Sequence, residues 1–194
     1  APMVRAILAG TKTQTRRIVN GCGVFVDTEM DLEPPCLLGD EWFWSEGTTV
    51  RARFLVGQRL WVKETLKVSG DGEITYAADG AEVKMPSSGK YDFRVGTVSS
   101  IHMPRWASRI NLEITGVRVE RVQDIGKDGR KARDVLAEGI DPVVIERNRE
   151  FFHPDDCPAL AFAAKWDEIN GKGSWESNPW VWRIEFKRLE GVTR

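Results

Sequence analysis

The sequence predicts an α+β domain built around a partly open β-barrel, with flanking helices and long loop or hairpin insertions. Three observations carry this: several short stretches of alternating hydrophobicity, one long stretch whose alternation changes phase part-way, and only a few segments with helical spacing. The long stretch follows Arg109, where Ile110, Leu112 and Ile114 alternate, the phase slips over Thr115-Gly116, and Val117 and Val119 resume it. A slip of one residue moves every following side chain to the other face, so a β-bulge is expected there.

The remaining elements follow in chain order. Pro2 suits a first helical position, Val4, Ile7 and Leu8 share a helical face, and Gly10 suits the left-handed conformation that ends a helix. Lys12 and Thr15 are therefore expected on a tight connection past that end, with a strand starting near Arg17-Ile18-Val19. Gly21, Gly23, Pro34, Pro35 and Gly39 punctuate an expected insertion over about 20–57, in which Trp42-Phe43-Trp44, the turn candidate Glu46-Gly47 and the alternating Val50, Ala52 and Phe54 read as a hairpin. A strand is expected over Gly57–Thr65, with Leu60 and Val62 on one face and Trp61, Lys63 and Thr65 on the other. Residues 69–100, rich in Gly, Ser and Asp, predict a second insertion with a short strand near Ile74–Tyr76. Helices are expected over Ala132–Glu138, stopped by Gly139, and over about 158–170, where Phe162, Trp166 and Ile169 share a face and Gly171 terminates. A closing, half-buried strand alternates Trp180, Trp182, Ile184 and Phe186 against Val181, Arg183 and Glu185.

With 194 residues and 41% hydrophobic content, one domain over 1–194 with insertions is expected. The net charge of −1 excludes a whole-surface basic field, so any nucleic-acid contact must be local. No apolar run approaches the ~18 residues of a membrane span and no signal peptide precedes the first helix. A soluble, cytoplasmic protein without membrane partners is expected. Cys22, Cys36 and Cys157 are odd in number and lack C-x-x-C spacing, as free thiols in a reducing compartment would. Neither they nor His102 and His153 make a zinc ligand pair, so no metal or cofactor is expected. Oligomeric state is not legible.

Chemistry concentrates in Ile7–Arg17, which places a helix end, a lysine, hydroxyls and two arginines in eleven residues. A hydroxyl nucleophile requires a base, and a desolvated lysine with a lowered pKa can serve; Lys12 and Thr15 fit that requirement. Glu138 stands in the last turn of its helix, facing the negative end of the helix dipole, a position costing ~0.3–1 kcal/mol unless a shared cleft with Lys12 offsets it. Arg16 and Arg17 suit a phosphate or an acyl oxygen. Lys63 or Glu64 is a candidate for the cleft. His102–Trp106 with Arg109 joins cations to a stacking ring, so Arg105, Trp106 and Arg109 are candidate nucleic-acid contacts. The bland alternatives are a solvated basic turn for Lys12, Arg16 and Arg17, a surface carboxylate for Glu138 and a core ring for Trp106.

The pattern G-x-K-x-x-T-x-R, filled by Gly10, Lys12, Thr15 and Arg17, resembles the signature of the ASCH superfamily. That resemblance implies a PUA-like barrel associated with RNA. In one branch, small bacterial amidohydrolases acting on N4-acetylcytidine, the same arrangement supplies a lysine and a threonine nucleophile with a glutamate from farther along, which implies Thr15 as nucleophile, Lys12 as its base and Glu138 as the acid that assists the leaving group. Across most of its length the chain is most similar to longer phage and prophage ASCH-type proteins, through Met103–Arg109 and the Trp-rich end. Relatives often carry glutamate where Thr15 stands, so threonine favours the amidohydrolase branch. Two readings follow, an amidohydrolase of N4-acylated cytidine and a non-catalytic module for single-stranded RNA or DNA, with ribonuclease activity a third.

Overall fold

The structure is a computed structural model that describes residues 2–19, 36–38, 41–43, 49–51, 53–86, 93–125, 131–148, 150, 153–154 and 156–190. Its centre is a four-stranded antiparallel sheet that curls into a half-barrel. In order across the sheet it comprises β1 (Gln14–Ile18), β10 (Trp180–Leu189), β9 (Asn111–Arg121) and β5 (Arg59–Trp61). Two three-stranded antiparallel sheets accompany it. One is the meander β2 (Cys36–Leu38), β3 (Glu41–Phe43) and β4 (Thr49–Arg51); the other holds β6 (Leu66–Val68) between β7 (Ile74–Tyr76) and β8 (Gly96–Val98). Four helices complete the described residues: α1 (Pro2–Leu8), α2 (Lys131–Ala137), α3 (Pro142–Asn148) and α4 (Cys157–Asn170).

The phase slip in the sequence is a bulge. Glu185 of β10 opposes Gly116 while its neighbour Phe186 opposes Ile114, so Thr115 is the extra residue. A Cβ at Gly116 would fall 2.9 Å from Oε2 of Glu185, the end of a flexible side chain that is 45% exposed, so the glycine eases the packing at the bulge. The bend turns two faces of the sheet to two cores. Val181 of β10 joins Val122, Val135, Phe162 and Trp166 under the helices. Trp180, Trp182 and Ile184 join Ile114 and Val119, with Leu60 packed against them. At ~1.5–3 kcal/mol for each large side chain removed from water, β10 is the most heavily committed strand in the fold.

Several expectations change. The closing strand is buried on both faces rather than half buried, because α2 and α4 cover the side that alternation assigned to solvent; even Arg183 is buried. Ile169 is 56% exposed and leaves the core to Phe162 and Trp166. The strand expected over 57–65 narrows to Arg59–Trp61, although Val62 still donates to the carbonyl of Ile110. Helix α3 had no apolar period to announce it, since Val143 and Val144 are exposed and only Ile145 is buried. Its signal was local: Pro142 opens it, and the Asp141 carboxylate accepts from the Val143 amide at 2.9 Å. Gly21, Gly23, Pro34, Pro35, Gly39, Trp44 and Glu46-Gly47, invoked for the first insertion, lie outside the described residues.

Candidate active site

Two helix ends build the site, and each is closed by the same glycine device. In α1 the amide of Gly10 donates to Ile7 and that of Thr11 to Ala6, with Gly10 at φ +74°. In α2 the amide of Gly139 donates to Leu136 and that of Ile140 to Val135, with Gly139 at φ +83°. Both are Schellman closures, and Ile140 and Val135 supply the apolar contact that accompanies the second. Such a closure leaves the last carbonyls of the helix pointing outward. Those of α2 meet the chain leaving α1: Thr13 donates its amide to Ala137 at 2.9 Å, and the Lys12 ammonium donates to the Glu138 carbonyl at 2.5 Å. The fit is close, because a Cβ at Gly139 would lie 3.0 Å from Lys12 Cδ and 3.2 Å from Ala6 Cβ.

Lys12 also donates to the carbonyl of Gln14 at 2.9 Å, and its Nζ lies 3.4 Å from Oε2 of Glu138. Only 10% of its side chain is exposed, and burial lowers its pKa below the usual lysine value. The Glu138 carboxylate works against that lowering, while the charges of Arg17 and Arg16 add to it.

Glu138 is not a surface carboxylate. It is 5% exposed, and its Oε1 accepts from Arg16 Nη1 at 2.7 Å. Arg16, whose side chain is fully buried, also donates through Nε and Nη2 to Oε1 of Glu120, at 2.8 and 2.5 Å. On the same face of the sheet Arg183 reaches Asp134 at 3.2 Å, Glu185 at 3.0 Å and the Gln14 side-chain oxygen at 3.1 Å. The result is a buried lattice of alternating charge under the first strand, in which the carboxylates offset the cations' loss of water.

Thr15 lies within β1, not on a connection past the helix. Because successive strand residues face opposite ways, Thr15 and Arg17 point away from Gln14 and Arg16. Among the described residues the Thr15 hydroxyl and Lys12 share no hydrogen bond. Even so, Lys12, Thr15, Arg16, Arg17 and Glu138 all border one cleft of about 470 Å³, whose apolar wall includes Phe54, Trp61, Phe162 and Trp166. Lys63 borders it from the opposite sheet edge.

The other candidates are placed elsewhere. Gly10 shapes the end of α1. Arg105 donates to Asn111 at 2.8 Å and lies over the Trp61 ring. Trp106 packs half-buried on Phe93, in the core between β6, β7 and β8. Arg109 is tied into the fold by Glu64 and Asp79 and stacks 3.8 Å from the centroid of Tyr76. Sequence reasoning missed Gln14, Glu120, Asp134 and Arg183 as the support beneath Arg16. Arg183 was the available signal, since a cation inside the apolar run Trp180–Ile184 requires buried partners.

Among the described residues no cluster of His, Cys, Asp or Glu could hold a metal ion. No helix of the described residues is long and apolar enough to cross a membrane. Comparison with known protein families, with curated proteins and with solved structures gives no match for this chain.

Proposed function

We propose that this chain is an ASCH-type, PUA-like amidohydrolase acting on N4-acylated cytidine. One observation carries the reading: a buried lysine with a lowered pKa, a threonine hydroxyl and a held carboxylate border a single apolar cleft of nucleoside-accommodating size. The Thr15 hydroxyl attacks the acyl carbonyl as neutral Lys12 takes its proton, and Lys12 returns that proton to the leaving amine as the C–N bond breaks. Water then attacks the acyl-threonine, again giving its proton to Lys12, and restores the hydroxyl.

Both Glu138 oxygens face cations, so its part is to hold the Lys12 ammonium rather than to donate a proton itself. The missing hydrogen bond between Lys12 and Thr15 is compatible with this chemistry. Lys12 already binds the carbonyl of Gln14, the residue before Thr15, and such contacts tighten when substrate fills a site.

The test is hydrolysis of N4-acetylcytidine followed by ultraviolet absorbance. Thr15→Val, which keeps shape and removes the hydroxyl, is expected to lose turnover while still binding cytidine. Lys12→Met is expected to lose about 10²–10⁴-fold, comparable to Thr15→Val because the pair acts as a unit. Folded wild-type protein that is inert on acylated cytidines overturns the proposal. A non-catalytic nucleic-acid module is the second reading, favoured by the cations along the cleft; on that reading Thr15→Val changes little.

A further inference from the structure

Among the described residues, the titratable groups bordering the cleft are five cations, Lys12, Arg16, Arg17, Lys63 and Lys165, against one carboxylate, Glu138. Internal partners account for three of the cations. Lys12 and Arg16 share Glu138, Arg16 adds Glu120, and Lys165 pairs with Glu168 at 2.9 Å. The two that remain, Arg17 and Lys63, are exposed, in a chain whose net charge is −1. Apolar walls focus such a field onto whatever enters.

At the β5 edge Lys63 of the cleft lining and Arg105, just outside that lining, both stand against the Trp61 ring. Lys63 Nζ lies 5.2 Å from the centroid of the Trp61 ring, and the Arg105 guanidinium carbon lies 5.4 Å from the same centroid. The two charges are therefore no farther apart than the sum of those distances, and neither has a carboxylate partner among the described residues. Each is instead oriented by a neutral group, Lys63 by the Ile101 carbonyl at 2.9 Å and Arg105 by the Asn111 amide oxygen at 2.8 Å. Cations held by neutral acceptors retain most of their donors for an anion.

We infer that Trp61, Lys63 and Arg105 form a phosphate subsite, so that the ligand of the cleft is a phosphorylated nucleoside or a nucleotide unit rather than the bare nucleoside. This assignment rests on the nucleoside reading proposed above. The placement agrees with it: Thr15 on β1 and Trp61 and Lys63 at the β5 edge line the same cleft from the two edges of the four-stranded sheet, so a ligand that engages both ends needs a group beyond its base.

Calorimetric titration of cytidine, cytidine 5′-monophosphate and a short oligocytidylate tests the assignment without turnover. The monophosphate is expected to bind about tenfold more tightly than cytidine, an advantage that declines as salt rises. Lys63→Met and Arg105→Met are each expected to remove most of that advantage while leaving cytidine affinity unchanged, and Arg17→Met to preserve it. Tighter binding of the oligomer than of the monophosphate assigns the phosphate to a diester within a strand, and the reverse to a free nucleotide; both support the subsite. Equal affinity for cytidine and its monophosphate, or a phosphate preference that only Arg17→Met abolishes, overturns it. A protein that prefers the monophosphate but never hydrolyses acylated cytidine keeps the subsite and loses the amidohydrolase.

Discussion

Two knots of buried charge sit at different places in this molecule, one around Arg109 and one around Lys12 and Arg16, and burial ends in opposite outcomes. Around Arg109, the carboxylates of Glu64 and Asp79 take up its donors at 2.8–3.0 Å while its plane covers Tyr76. Burial alone would lower the pKa of Arg109, but the two carboxylates outweigh it and the value is raised. Around Lys12 burial wins: one carboxylate, shared with Arg16, does not restore the lysine to its ordinary value. The difference lies in both depth and partners: Lys12 is the more deeply buried of the two and has the fewer carboxylates. A knot whose charges are matched fastens chain segments, whereas one that leaves a cation under-matched beside a cleft holds a group ready to release a proton.

Changing the shared carboxylate is the strongest way to break the comparison. Glu138→Gln leaves Arg16 with Glu120 and the more distant Asp134, and Lys12 without a charged partner, so a loss of about 3 kcal/mol is expected with at least ~100-fold less turnover. The helix-end position, taken by itself, argues for a slight gain in stability, but the pairs to Arg16 and Lys12 outweigh the dipole. Urea unfolding beside the acetylcytidine assay measures both effects, and a stable variant with full activity would unseat Glu138 from the site.

Glu64→Gln is the matching experiment on the closed knot. Its side chain is 1% exposed, so about 2–3 kcal/mol of stability should go, while turnover at the cleft stays within about twofold of wild type. Lost turnover without lost stability would mean that the two knots are not independent. Gly139→Ala should cost about 1–2 kcal/mol, since φ is +83° and the new methyl group presses on Lys12. Part of its damage should appear as a shifted pH–rate profile, which a purely structural strain does not produce.

The smallest effect is on stability against pH. The pKa of Lys12 is lower in the folded chain than the ordinary lysine value of 10.5. Between the lowered value and 10.5 the unfolded chain holds more protons, so stability rises with pH through that window. The cost of burying the charge is fully present below the window and gone above it. Lys12→Met should lack this rise; if the variant shows the same rise, another group is responsible. The activity of the wild type should correspondingly increase with pH through an apparent pKa below 10.5.

How far the sequence spoke depended on the range of the forces involved. The bulge at Thr115-Gly116 and the glycine stops at Gly10 and Gly139 were legible because they are local backbone matters, and Glu138 was legible because a carboxylate at a helix end is locally unfavourable. The charge lattice was not, because Arg16, Glu120, Asp134 and Arg183 come from four separate segments and only the fold brings them together. The burial of β10 on both faces was hidden for the same reason, since alternation reports one covered face and cannot see helices packed from elsewhere. Trp61 was visible as an aromatic on a strand, but its two flanking cations were separated from each other by most of the β6–β8 sheet in the chain.

Lys12 and Glu138 stand 126 residues apart, and Gln14 reaches Arg183 across 169. Strand β1 has a single neighbour in its sheet, β10, so nothing near it in sequence fastens it there. The order of assembly follows: the cleft's chemistry is absent until the far strand has docked, and a growing chain carries Lys12 and Thr15 as an unassembled segment through most of its synthesis. Contacts of such long range close late, so the backbone amides of β1 that pair with β10 should gain protection from exchange only in the last stage of folding.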